Sequence, residues 1–451
     1  MALKKIDNSP TGKKYNRSIL FIVFTIAVVI MIDISIIRHY IIVESSSSLS
    51  IYVFIIISTI FMAAQYFLLK FARYNIIKSD QSKKISSYLD PIGRAVRVIQ
   101  YILIAILIFI ILQMLLTSHF NSSSIILASL LSYSLAILIM AIMSRKFFSW
   151  FKSNRDYRIL LYGLSSATLC ANVLLTLVLV SILMPNLPTD VHSHAGAYRL
   201  FSTSDVVVET FNNAVTISSI TSFSITWFAT VLLLRHHYRS QLGKVIYWMI
   251  MTVPLVYFLG QFLILFINPF PIFASDPVNV AVFFVLAFAL SKPIGGILFG
   301  TAFFSAARKI TESSVRRYLL IAASGFMLFF MSNQAAFVLQ FISYPPFGFP
   351  TIILTGLSSY LIMVGIYSSA IFLSEHAILR KSIKKLAVEE TRLIESISWA
   401  QLEGETRNKI MSVLKASQNK IDYETGIQQP SMNDDEVREY IDEVLRELKH
   451  K

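Results

Sequence analysis

The chain has 451 residues, of which 55% are hydrophobic and only 15% charged, with a mean hydropathy of +0.64. A soluble domain carries about 25% charged residues, so this balance excludes an ordinary soluble globular protein and places the chain in the membrane class. The net charge of +14 does not mark a nucleic-acid partner, because the excess lies in residues 1–373, in short segments between apolar runs, while residues 374–451 are slightly acidic.

Residues 1–17 form a polar, basic N-terminal segment, expected in the cytoplasm. The apolar run that follows, 18–37, is longer than a signal-peptide core and lacks a small-residue cleavage site, so it reads as an uncleaved first span. Further runs of bilayer-crossing length occur at 50–69, 98–117, 125–144, 159–183, 211–234, 245–267, 278–304, 319–341 and 351–373. The segments at alternate junctions differ sharply in basic residues. One set (1–17, 70–97, 145–158, 235–244 and 305–318) holds twenty-four Lys and Arg, and the other holds only Arg38 and Arg199. By the positive-inside rule this alternation predicts an all-α polytopic transmembrane helical bundle of about ten spans over 18–373, in the cell membrane, with both termini cytoplasmic. The turn-forming segments MPNLPTD, NPFPIFASDP and SYPPFGFP then fall on the outer side.

From residue 374 the composition becomes polar. Residues 374–424 read as one cytoplasmic stalk helix continuing the last span, with Leu379, Ile383, Leu386, Leu393, Ile397 and Ala400 at heptad-like spacings. After a loop at 425–433 comes a short amphipathic helix, with Asn433 as N-cap and Glu436 three residues on. Its face of Val437, Ile441 and Leu445 needs a partner surface, since so short a helix is marginal alone. These two apolar seams are the expected partner-binding positions, for a homodimer through the stalk or for a cytoplasmic protein on the tail.

Several polar residues stand inside the apolar runs. Asp33 lies near the outer end of the first, where it marks an ion or ligand site, reaches the interface, or pairs with Arg38. Lys292 precedes Pro293, Gly295, Gly296 and Gly300, a pattern that predicts a kinked or broken helix of the type that builds transport sites, or a G-x-x-x-G packing face. Asn333 and Gln334 are either ligand-lining or interhelical hydrogen-bonding groups; Gln65, Gln113 and Asn172 are expected to be the latter. In the segment 184–210, His192 and His194 have the donor type and the extended-chain spacing of a metal pair, against the plainer reading of solvated loop histidines. The single cysteine, Cys170, provides neither a disulfide nor a cysteine-based metal site. No H-E-x-x-H, G-x-S-x-G or phosphate-loop pattern occurs, and the 75 residues after His376 are too few for an ATP-binding kinase domain. No enzyme, cofactor or catalytic residue is therefore expected.

The tail AQLEGETRNKIMSVLKASQNKIDYETGIQQPSMNDDEVREYIDEVLRELKHK, residues 400–451, resembles the tails of multi-pass membrane proteins of ammonia-oxidising archaea, which have no assigned activity. The resemblance implies an archaeal source and a reused output module, and carries no catalytic residue across. The expected function is a membrane sensor or receptor-like signalling protein whose last span runs into a dimerising or partner-binding helix. The alternatives are a secondary transporter or channel with a site near Asp33 and Lys292, and a structural or assembly subunit of a membrane complex.

Overall fold

The computed structural model describes residues 23–33, 48–78, 83–117, 119–183, 206–241, 243–266, 288, 290–310, 312–338, 345–386 and 389–425. The described helices, in chain order, are α1 (Val23–Asp33), α2 (Ser48–Lys78), α3 (Lys83–Thr117), α4 (Ser122–Ser153), α5 (Tyr157–Leu183) and α6 (Val206–Gln241). They continue with α7 (Lys244–Phe266), α8 (Ser291–Lys309), α9 (Ser313–Val338), α10 (Phe349–Glu375), α11 (Ala377–Leu386) and α12 (Glu389–Thr425). Eight of these are long and apolar enough to cross a membrane, where the sequence predicts about ten spans. The difference falls on two runs. Of the run 18–37 only the short helix α1 is described, and in the run 278–304 the helix begins at Ser291. Pro293 sits in the first turn of α8, where its missing N–H costs no intrahelical bond. Phe288 is helical and Leu290 forms a turn before α8, so the chain interrupts its helix next to the expected Ser291-Lys292-Pro293 break.

The distribution of apolar surface is that of a protein in lipid. The peripheral helices α3 and α7 bury little of their apolar windows, and residues such as Val98, Phe109, Leu112, Leu116, Val253 and Val256 are exposed. A water-soluble protein does not expose apolar belts of this extent. Meanwhile Asp33, Gln65, Gln100 and Asn172 are buried inside the bundle. A helix facing hydrocarbon satisfies its own backbone, so its side chains can be apolar all round, and polar groups gather where other helices can bond them.

The apolar window of α10 is buried along its whole length. It packs against α9 on one side and α4 on another, with α2 and α3 also in contact. Small residues make the approach possible. A Cβ on Gly325 of α9 would lie 2.6 Å from the Ile362 backbone nitrogen, and one on Gly356 would lie 2.9 Å from the Ser132 carbonyl. A Cβ on Gly365 would collide with the Ala322 backbone nitrogen. Ser132 uses the same closeness: its hydroxyl donates to the Ile352 carbonyl at 2.9 Å and accepts from the Gly356 N–H at 3.3 Å. The G-x-x-x-G of α8 works in the same way, since Cβ atoms on Gly296 and Gly300 would press on the carbonyls of Met327 and Ala323 in α9.

The tail departs from its expected form. The last span stops at Glu375, His376 leaves helical geometry, and α11 ends at Leu386 before α12 begins at Glu389, so residues 374–424 are not one continuous stalk. Instead α12 folds back against α4, α5, α6, α8 and α10. Leu393, Ile394, Ile397 and Ala400 are buried there, as is Ile383 of α11, with Leu379 partly buried. The expected dimerising seam at Leu379, Ile383, Leu393 and Ile397 is therefore turned onto the chain's own bundle. A three–four spacing describes an apolar helix face, and that face serves equally for a coiled coil or for docking on other helices. The final amphipathic helix with Val437, Ile441 and Leu445 lies outside the described residues.

The glycine contacts predict that Gly365→Leu, which forces backbone displacement between α9 and α10, destabilises the detergent-solubilised protein by at least about 1–3 kcal/mol. Surface-facing Gly404→Leu, with nothing near its Cα, is expected to leave thermal unfolding unchanged. Equal melting of both variants contradicts the close α9–α10 packing.

Candidate functional site

Four polar constellations lie within or against the bundle. The first is at the start of α10. Asp33, the last residue of α1, is fully buried; its Oδ2 accepts from the Thr351 hydroxyl at 2.6 Å and its Oδ1 from the Gly348 N–H at 3.1 Å. Gly348 is the N-cap of α10 in a left-handed conformation (φ 82°), which glycine adopts without steric cost but which provides no capping side chain. Asp33 supplies the cap from another helix, with its negative charge on the positive end of the α10 dipole. Its carboxylate is engaged by α10, and among the described residues no bond joins it to Lys292.

The second is an amide cluster between α5, α6 and α9. Asn333 donates through Nδ2 to the Asn172 Oδ1 at 3.1 Å, and Asn172 Nδ2 donates to the Ser218 hydroxyl at 2.9 Å and the Val215 carbonyl at 3.3 Å. Below it, the hydroxyls of Ser165 and Thr226 are 2.6 Å apart, again joining α5 to α6. Asn333 is thus an interhelical bonding group, and Gln334 beside it is buried. Lys292 sits in the first turn of α8, half-buried. Among the described residues no hydrogen bond joins the four candidates to one another: Asp33 bonds the start of α10, and Asn333 bonds Asn172 of α5. Gln113 of α3 accepts at 3.2 Å from the N–H of Asn121, the N-cap of α4.

The third is the tail dock. Asn154 and Asp156 form the connection between α4 and α5, and Trp150 precedes it. Ser396 of α12 donates its hydroxyl to Asp156 Oδ2 at 2.6 Å, while Asn154 Nδ2 donates to the Ser396 carbonyl at 3.1 Å. The Trp150 indole N–H donates to Gln401 Oε1 at 2.8 Å. At the end of α10, the Arg380 guanidinium donates through Nη1 to the carbonyls of Leu373, at 2.9 Å, and Ser374, and lies over the Trp399 ring at 5.0 Å. A cation on the C-terminal carbonyls is the counterpart of Asp33 at the other end. Trp150 also stacks on Tyr367, and Phe147, Tyr162, Phe303 and Phe326 continue a chain of ring contacts into the bundle.

The fourth is a cavity of about 340 Å³ between α2, α3 and α10, lined among others by Arg73, Asp90, Gly93, Arg94, Arg97 and Tyr360. In the sequence its arginines register only as topology signals. Three arginines within one inter-span segment was the available signal, but only the packing of α10 onto α3 shows that they share a concave surface. The segment with His192 and His194 lies outside the described residues. Comparison with family models, with curated proteins and with solved structures returns no match for this chain.

Capping of α10 by Asp33 predicts energetic coupling with Thr351. Asp33→Ala and Thr351→Val are each expected to lower stability in detergent by about 1–3 kcal/mol, the cost of stranding a buried partner. The double variant is expected to lose less than the sum, with a coupling of about 0.5–3 kcal/mol. Strict additivity in the unfolding cycle contradicts the cap.

Proposed function

We propose that this chain is a membrane sensor of the receptor-like signalling class, whose tail helix is held against the bundle and released to engage a partner. The observation that carries this reading is the dock of α12. Its first half buries Leu393, Ile397 and Ala400 against transmembrane helices, while Asn408, Lys409, Ser412 and Val413 in its second half are exposed. A helix held in part by three side-chain hydrogen bonds, and continuing beyond the bundle, has two states that membrane helices can bias. The ring contacts running from Gln401 and Trp150 to Tyr162 and Phe326 provide a packed route by which a shift among α4, α5, α8 and α9 reaches the dock.

In this reading the basic segments face the cytoplasm of a cell membrane, and both termini with them. The partner is a second copy of the tail or a cytoplasmic protein, and the seam at Leu393 and Ile397 becomes available only on release. Asp33 and Asn333, on which a transport site would be built, are engaged in helix capping and helix–helix bonding.

The test is a tail-release measurement in nanodiscs, with labels at Val413→Cys and at an α5 position in a Cys170→Ser background. Each hydrogen bond removed by Trp150→Phe or Ser396→Ala, at about 1 kcal/mol, is expected to raise the released fraction about fivefold. Bilayer thickness or surface charge is expected to shift the same fraction in the unmodified dock. A released fraction that responds to neither overturns the sensor reading.

A further inference from the structure

We propose that the cavity between α2, α3 and α10 is a binding site for a phosphate ester, and that the headgroup of an anionic membrane phospholipid is the source favoured by its position. At about 340 Å³ the cavity falls within the about 300–1,000 Å³ of small-ligand pockets. It lies where the two helices pass out of their apolar runs, 50–69 and 98–117: the lining residues Arg73, Asp90, Arg94 and Arg97 all fall between those runs. That is headgroup depth.

The lining has the chemistry of phosphate recognition. Among the described lining residues three arginines stand with one aspartate, an excess of two positive charges, and arginine offers paired N–H donors that match phosphate oxygens. Arg97 is oriented by donation from its Nε to the Gly93 carbonyl at 3.2 Å. The Tyr360 phenol, from the buried helix α10, forms a second polar wall. Gly93 is required for that wall, because a Cβ there would stand 2.7 Å from the Tyr360 hydroxyl oxygen.

Basic residues at this level also serve orientation, and snorkelling alone would place them outward. Two observations separate a site from a topology signal. All three arginines of the 70–97 segment line one cavity, whereas Lys70 lies over the exposed Tyr66 ring at 5.9 Å and is not part of the lining. In addition, Gln65 and Gln100, each one turn from the lining residues Leu69 and Arg97, are fully buried, with both amide ends unpaired among the described residues. The polar character therefore continues inward along the same two helices. Basic clefts between transmembrane helices at the bilayer surface recognise anionic headgroups through these forces.

The experiment is native mass spectrometry of the full chain in detergent, titrated with phosphatidylglycerol, with phosphatidylcholine, or with phosphatidylglycerol in the presence of millimolar glycerol phosphate. Phosphatidylglycerol is expected to be retained about tenfold or more over phosphatidylcholine, and Arg94→Gln/Arg97→Gln to remove about tenfold to thirtyfold of that retention. Lys70→Gln, which removes a charge outside the cavity, is expected to leave retention unchanged. Displacement by glycerol phosphate assigns the site to a soluble phosphate ester, and persistence of the lipid assigns it to the headgroup. Equal retention of the two lipids by the wild-type protein overturns the proposal without reference to any variant. So does a loss in Lys70→Gln as large as that in the arginine pair.

Discussion

A helix buried along its whole length inside a membrane protein must have both of its ends satisfied by other parts of the chain. The first N–H groups and last carbonyls of any helix lack intrahelical partners, and where packing shields them from water other parts of the chain must bond them. α10 meets this requirement with two charges of opposite sign. Asp33 accepts from Gly348 and Thr351 at its start, and Arg380 donates to the carbonyls of Leu373 and Ser374 at its end. Both charges complement the helix dipole. The rest of the bundle depends on this helix being stable where it lies, because α9 and α4 approach it at backbone distance through Gly325, Gly356 and Gly365.

The Arg380 contact also ties the core to the tail. Arg380 belongs to α11, directly after the last span, and its guanidinium covers Trp399 of α12. One side chain therefore caps the central helix and touches the docked segment. Further dock bonds come from Trp150 near the end of α4 and from the α4–α5 connection, where Asp156 accepts the N–H of Arg158 at 2.9 Å as well as the Ser396 hydroxyl. These side-chain bonds are polar and partly buried, unlike the apolar and glycine contacts within the bundle. Segments held through bonds of this kind are those from which moving elements are drawn. That contrast underlies the sensor reading.

The amide cluster of Asn172 and Asn333 and the arginine-lined cavity occupy different parts of the bundle and have different chemistry. In the cluster each donor shown is matched to an acceptor on a neighbouring helix, which is how polar side chains hold transmembrane helices together. In the cavity three arginines are gathered with one aspartate among the described lining residues. Like charges converge at a cost unless an anion is bound among them, so the cavity is suited to a ligand, whereas the amide cluster binds helix to helix and leaves the Asn333 Oδ1 without a partner among the described residues.

The sequence by itself determined the class of the protein. Runs of twenty apolar residues satisfy a bilayer whatever surrounds them, so the all-α multi-pass class was legible without contacts, with about ten spans expected where eight described helices are long and apolar enough. Pro293 likewise marked a discontinuity, because a proline's lost N–H is a local property. The tertiary structure alone decided how the polar residues are used. Asp33 and Thr351 are 318 positions apart in the chain, and nothing local to MIDIS names a partner at the start of α10. The face of Leu393 and Ile397 was recognisable as apolar, but its spacing is the same for a coiled coil as for a helix laid on a bundle. The arginines of 70–97 were visible as charge, and only the meeting of α3 with Tyr360 makes them a cavity. Periodicity and composition record what each segment requires of its surroundings, while the identity of those surroundings is set by long-range packing.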